Sequence, residues 1–217
     1  MTAVARPSLL QIELLSDATF SRGEGTAGIV DTEVEHDEFG MPFIGGRTVR
    51  GLLRDSWFSM AAHFPELEVA AERILGRSRM VDERCRLRIG DALLPGALRN
   101  LIRAAANRPG QDHPLRADQI LAGFTGIRYQ TSESRKTGAP ETSTLRSSRV
   151  VLHRFVFQSV LTWLDDYQPD HDDLRLLALS ALATRHGGLL RNRGRGHIRL
   201  TLDGDLDETR ARLAEVA

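Results

Sequence analysis

Residues 45–64 read GGRTVRGLLRDSWFSMAAHF. Val49, Leu52, Leu53, Ser56, Trp57, Met60 and Phe64 recur at three- and four-residue intervals and form an apolar stripe, while Arg47, Arg50 and Arg54 gather on the opposite side. The spacing predicts a helix that lays one face on a core. Upstream, Leu10, Ile12 and Leu14 alternate with Gln11 and Glu13, which predicts a strand over residues 8–15. The fold begins with a strand followed by a helix, and the rest of the chain decides what that pair belongs to.

Downstream, ELEVAAERIL continues as a second helix, and Cys85, Leu87 and Ile89 alternate with Arg86 and Arg88 as a strand in which Cys85 is a small buried residue. Leu98, Leu101 and Ile102 mark another helix before the loop NRPGQDHP. From Gly126 to Ser148 the chain is polar and carries Arg128, Arg135, Lys136 and Arg146, with Arg149 just beyond. Too few apolar residues occur there to enter a core, so residues 126–148 read as a protruding hairpin or finger. VVLHRFVFQSVL is strand with a bend near His153 and Arg154. PDHDD offers N-caps to an apolar helix over 171–186 that Gly187 ends. Ile198, Leu200 and Leu202 alternate in a last strand, and DETRARLAEVA closes as a short helix.

Without insertions the order is strand, helix, strand, strand, helix, strand. This is the α+β, ferredoxin-like (RRM-like) βαββαβ pattern of an antiparallel sheet with helices on one face. At 217 residues a single domain, 1–217, is expected, with an acidic loop at 21–46, the finger at 126–148 and a Gly/Arg loop at 187–197.

The 29 basic residues balance 29 acidic ones, so no whole-molecule field draws a polyanion, and any such site must come from local segregation. Only Lys136 of the 29 is lysine, a bias that suits planar, two-pronged contacts to phosphate and equally suits a GC-rich genome. The lone Cys85 excludes an intrachain disulfide and a cysteine metal cluster. SLLQIELL is too short and too polar for a signal peptide, and no segment approaches the ~18 apolar residues of a membrane span, so a cytoplasmic protein without a membrane partner is expected.

Three segments carry chemistry. HGGLLRNRGRGHIR, residues 186–199, holds Arg191, Arg193, Arg195 and Arg199 with glycines at Gly187, Gly188, Gly194 and Gly196, and no acid lies between Arg175 and Leu202. Such a loop reads as a phosphate cradle in which glycine lets the backbone approach a ligand. It is neither a Walker loop nor a dinucleotide fingerprint, since no GK[ST] follows and it runs from helix to strand. The helix start at GGRTVR places Arg47 and Arg50 beside unpaired N–H groups that favour an anion. The third segment is DTEVEHDE, residues 31–38. In an extended backbone Asp31, Glu33, Glu35 and Asp37 share one side at about 7 Å spacing. Adjacent repulsion is then on the order of 2 kcal/mol at an effective dielectric near 20, which calls for a cation wherever the stripe is enclosed. The pairs His36-Asp37 and His171-Asp172 are not at metal-ligand spacing on helices, so a metal phosphohydrolase is not expected.

Together, IVDTEV, HDEFGMPFI running into GGRTVRGLLR, STLRSSRV at the end of the finger, and GGLLRNRGRGHI resemble, in that order, the RAMP superfamily of CRISPR-associated proteins, and most nearly the RAMP subunits of type III effector complexes. The resemblance runs from about residue 9 to residue 202. It implies an RRM-like domain that binds a CRISPR guide RNA and a complementary target RNA beside other RAMP and effector-complex subunits, with the finger between guide and target and the glycine-rich loop along the RNA backbone. It also implies that Asp31 is the aspartate needed for metal-dependent endonucleolytic cleavage of target RNA, holding Mg²⁺ or another divalent cation. Asp37 matches a second acidic position with a structural role, and Glu33, Glu35 and Glu38 are left as a solvated loop face. Expected RNA contacts are Arg47, Arg50, Arg54, Arg128, Lys136, Arg146, Arg149, Gly187, Gly188, Arg191, Arg193, Gly194, Arg195 and Gly196. The family's usual Pro-Gly-Ser-Ser turn and lysine are replaced by Gly45-Gly46-Arg47-Thr48 and Arg50, which keeps the charge. A non-cutting paralogue that caps the complex, and a ribonuclease that processes precursor RNA, are the alternatives.

Overall fold

Alternation of apolar residues builds the sheet. In the computed structural model, which describes residues 5–21, 23–76, 85–107, 114–131, 138–139 and 144–214, Leu10, Ile12 and Leu14 of strand β1 (Leu9–Leu14) are buried. The stripe at 45–64 becomes helix α1 (Gly46–Met60), which buries Val49, Leu52, Leu53 and Trp57. Helix α2 (Glu68–Leu75), strand β2 (Leu87–Leu93), helix α3 (Gly96–Ala106) and helix α4 (Ala117–Phe124) follow. Strands β3 (Thr125–Gln130) and β4 (Arg146–Val151) form a two-stranded antiparallel hairpin of their own. Strand β5 (Val156–Trp163), helix α5 (His171–Ala183), strand β6 (Ile198–Leu202) and helix α6 (Leu206–Ala211) complete the described chain.

The main sheet has the order β2-β5-β1-β6, with every neighbour antiparallel. Its inner face presents Leu10, Ile12, Phe157, Leu161, Ile198 and Leu200 to a core that α1 and α5 cover. Helix α1 comes close to β2 because residue 46 is glycine: a Cβ there would lie 2.5 Å from the Ile89 carbonyl oxygen. Two carboxylates finish that helix start. Gly45 N–H donates to Glu35 Oε2 at 3.1 Å and Gly46 N–H to Asp91 Oδ1 at 2.7 Å, so amides with no intrahelical partner meet anions from the chain itself.

Within the range 126–148 expected as a finger, the described residues include most of β3 and the first part of β4; Lys136 and Arg135 lie outside the described residues. The bend at His153 and Arg154 falls in the break between β4 and β5. Helix α4 was not legible in advance, because its eight residues follow a proline-rich loop and bury only Ile120, Leu121 and Phe124. Cys85 precedes β2 and is half-buried, its sulfur accepting from Arg50 Nη1 at 3.2 Å. Helix α5 ends at Ala183 and not at 186, since Thr184 turns extended and its hydroxyl donates back to the Ser180 carbonyl at 2.7 Å. Among the described residues no helix is long and apolar enough to cross a membrane.

The start of α5 is a buried polar knot. Asp170 caps the helix, and the fully buried Asp173 accepts from Arg73 Nε at 3.1 Å, Arg73 Nη2 at 2.9 Å and the Tyr167 hydroxyl at 2.6 Å. Burial, then the hydrogen bond to Asp173, push the Tyr167 phenol up to about 12. A phenol raised above its ordinary value contributes stability that is present below pH ~10 and lost as pH climbs through the folded value. Tyr167→Phe, which leaves a buried carboxylate one donor short, is expected to lower stability by about 2 kcal/mol in urea denaturation at neutral pH. The same variant should remove the part of the alkaline stability loss that lies between roughly pH 10 and 12.

Candidate nucleic-acid interface

The acidic segment and the hairpin are zipped together residue by residue. Thr32 and Ser148 form a parallel bridge, with Asp31 and Thr32 N–H donating to the Ser147 carbonyl, both at 3.2 Å, and Arg149 N–H to the Thr32 carbonyl at 2.9 Å. Side chains repeat the pairing on either side. Asp31 Oδ2 accepts from Ser147 N–H at 2.6 Å and from the Ser147 hydroxyl at 3.0 Å. Glu33 Oε1 accepts from Arg149 Nε at 2.7 Å.

These two carboxylates have opposite environments. Glu33 is 2 % exposed and its second oxygen accepts from the Thr26 hydroxyl at 3.0 Å, so it is a buried, fully partnered ion and not part of a solvated face. Asp31 is exposed, and the Ser147 amide, then the Ser147 hydroxyl, hold its carboxyl below the ordinary aspartate range, with Arg146 nearby adding to them. Asp31 is therefore ionised at neutral pH, and both Ser147 donors fall on Oδ2. Glu35 caps α1, and Asp37 closes its own turn by accepting from Phe39 and Met41 N–H at 3.0 and 2.9 Å. The four carboxylates of the stripe thus have four separate tasks.

Asp31 opens into a cavity of about 280 Å³ whose wall also includes Gln130 and Arg146 of the hairpin and Leu189, Leu190 and Arg193 of the Gly/Arg loop. Segments far apart in sequence meet there, and Arg193 Nη1 ties the loop to the hairpin by donating to Gln130 Oε1 at 3.2 Å. Beside them Arg128 pairs with Asp17 at 2.7 Å, and His153 Nδ1 lies 3.1 Å from the same carboxylate. Arg195 Nη1 is buried with no hydrogen-bond partner among the described residues. Burial, then repulsion from Arg128, lowers the Arg195 pKa against the opposing pull of Asp17. Arg191 is exposed and lines a second cavity, also of about 280 Å³, with Thr48, Gly51 and Asp55 of α1.

The glycines of the loop have internal reasons. A Cβ on Gly188 would lie 2.6 Å from the Thr19 carbonyl oxygen, and one on Gly196 would overlap the carbonyl of Gly187. Gly187 N–H donates to the Gly196 carbonyl at 2.8 Å and Gly196 N–H to the Asp17 carbonyl at 2.9 Å. Gly187, Gly188 and Gly196 therefore seat the loop on residues 17–20, and only Gly194, at φ +75°, has open space where a Cβ would be.

Of the other expected contacts, Arg47 and Arg146 are exposed, whereas Arg50 turns inward, with Nη2 donating to the Leu87 carbonyl at 2.7 Å. Arg54 lies over the Phe58 ring at 5.5 Å, and Arg149 is occupied by Glu33. Sequence reading passed over Asp17, Ser147 and Gln130, which are uncharged or isolated and gain meaning only from what the fold brings to them.

Among the described residues no group of three or more His, Cys, Asp or Glu is placed to hold a metal ion. A single exposed, ionised carboxylate lining a cleft is compatible with Mg²⁺, since that ion commonly takes one or two carboxylates and keeps several waters.

The model of the RAMP superfamily matches residues 11–199. The chain belongs to the RAMP superfamily. No curated protein sequence matches it. Among solved structures, this RAMP protein is similar to a chain of the type III-B Cmr-beta complex in the apo state, at 14% identity and a TM-score of 0.65, covering 92% of this chain and 98% of that one. It is also similar to a chain of type III-B Cmr-beta bound to cognate target RNA, at 12% identity and a TM-score of 0.64, covering 95% and 99%. At such identities the likeness concerns the fold: mixed α and β with antiparallel sheets.

The buried pair can be tested by itself. Glu33→Ala leaves the Arg149 guanidinium enclosed without its anion and is expected to destabilise the protein by roughly 3 kcal/mol. Glu33→Ala combined with Arg149→Ala should lower stability by less than the sum of the two single changes in thermal denaturation, the difference being the coupling.

Proposed function

We propose that this RAMP protein is a guide-RNA-binding backbone subunit of a cytoplasmic type III CRISPR effector ribonucleoprotein, a single domain over 1–217 that cleaves target RNA at Asp31. The observation that carries the proposal is the convergence of Asp31, the hairpin and the Gly/Arg loop on one cleft. The order β2-β5-β1-β6 supports reading the main sheet as a ferredoxin-like core, with the hairpin as its finger. Its likeness to chains of type III-B Cmr-beta in the apo state and bound to cognate target RNA supports the guide, target and fellow subunits as partners.

In this reading Arg191, Arg193, Arg195 and Arg146 take phosphates of the RNA backbone, each as a planar donor. Arg128 is held by Asp17 and shapes the same surface. Asp31 lines the cleft while Ser147 holds Oδ2. Asp31 would hold Mg²⁺, which would supply Lewis-acid stabilisation of the charge that develops on the scissile phosphate. The walls of the cleft orient the strand, and alignment of the ribose hydroxyl with the phosphate contributes through positioning.

A capping paralogue that binds RNA without cutting is the second reading, favoured by a cleft whose described lining holds no carboxylate besides Asp31. Asp31→Asn keeps an acceptor for Ser147 and removes the charge. In the assembled ribonucleoprotein it should slow single-turnover cleavage of a guide-complementary RNA by about 10² to 10⁴ while guide affinity stays nearly constant. Normal cutting by this variant, or loss of guide, would overturn the assignment. With about four phosphates neutralised, log affinity should fall against log salt with a slope near −3, and an affinity indifferent to salt contradicts the arginine contacts.

A further inference from the structure

We infer that Ser147 is the positioning residue for Asp31, and that through it the hairpin strand β4 and the cleaving carboxylate form one mechanical unit. The inference rests on the function proposed above and deepens it. Asp31 belongs to an irregular segment and is exposed, so packing does not fix its rotamer. Both donors to Oδ2 come from Ser147, one from the backbone and one from the hydroxyl. The bonding is reciprocal, because Asp31 N–H donates to the Ser147 hydroxyl oxygen at 3.0 Å. A single serine hydroxyl therefore reads both the backbone and the carboxylate of Asp31. Serine is suited to this, since its hydroxyl can donate and accept at once.

The next residues on either side couple this contact to the ligand surface. Arg146 and Ser148 line the same cleft as Asp31, so an RNA phosphate held by Arg146 bears on the strand whose next residue orients the carboxylate. On the far side Arg149 anchors the strand to buried Glu33. The ladder 31–33 against 147–149 thus has a fixed end at Glu33–Arg149 and a solvent end at Asp31–Ser147, and seating of RNA on Arg146 acts at the solvent end. Ser147 is a positioning residue here and touches no reacting atom.

Ser147→Ala retains the backbone donor and removes the hydroxyl. In the assembled ribonucleoprotein, with saturating complementary RNA and Mg²⁺, it is expected to slow single-turnover cleavage about 10-fold and to leave guide-RNA affinity within about twofold. Ser147→Thr, which restores a hydroxyl, should recover the rate to within about threefold. A readout independent of activity accompanies these: hydrogen exchange at the Asp31 amide should quicken about 10-fold in Ser147→Ala and return in Ser147→Thr. Wild-type cleavage and exchange in Ser147→Ala, while Asp31→Asn is inactive, overturns this inference and leaves the functional reading standing. Equal slowing in the Ala and Thr variants with loss of guide affinity overturns it as well, because the serine is then only structural. If Asp31→Asn cuts at the wild-type rate, the functional reading falls and this inference with it.

Discussion

The buried ion pair between Glu33 and Arg149 fixes where the hairpin stands relative to the rest of the molecule. A carboxylate 2 % exposed and a guanidinium whose side chain is 12 % exposed are tolerable together only because each is hydrogen-bonded as well as paired. Desolvation of either charge without the other would be strongly unfavourable, so the pair has one permitted register. With Glu33 on Arg149, the parallel bridge puts Thr32 on Ser148 and Asp31 on Ser147. A slip of one residue along β4 would leave Glu33 facing uncharged Ser148 or Val150 and Arg149 without its anion. The exposed carboxylate thereby takes its position from the buried one two residues away.

From that register the cleft follows. Holding β4 in place aligns β3, whose Gln130 accepts from Arg193 and so receives the Gly/Arg loop. The loop is seated from its other side by glycines that permit close contact with residues 17–20, and Asp17 there restrains Arg128 and His153. Asp17 is one carboxylate beside Arg128, Arg193 and Arg195; burial chiefly lowers the Arg195 pKa, and repulsion from Arg128 and Arg193 adds to it. A chain with zero formal charge thus presents a locally positive surface. The field belongs to the arrangement and not to the composition.

Much of the fold was legible because its signals are periodic. Alternation in β1 and β6 and the helical stripe of α1 depend on burial of one face, and burial of one face leaves a pattern in the sequence. Helix α4 left none, being two turns with three buried residues. At the site, the clustering of arginine in 186–199 located the basic surface, and Asp31 came into view through the resemblance carried by IVDTEV. The same reading misjudged Glu33, since a period-two run of acids looks identical whether water or an arginine 116 residues away stands opposite. Nor did it show that Gly188 and Gly196 pack closely on the chain's own backbone. Periodicity reports which face is buried, and it says nothing of what a single polar side chain will meet.

Arginine in place of lysine has two uses in this molecule. Arg73 gives Asp173 two bonds from one planar group, Arg149 reaches both Glu33 and the Thr125 hydroxyl, and Arg50 bridges a sulfur and a carbonyl. A lysine ammonium, strongly hydrated and without a fixed donor plane, would be a poor substitute at those half-buried places. Arg146, Arg191 and Arg193 are exposed around the clefts, where the same fork suits phosphate. Clusters of arginine in such a chain therefore mark a ligand surface only after those with an internal partner have been subtracted. Arg50 and Arg149 have such internal partners, whereas Arg146 and Arg193 line the cleft beside Asp31.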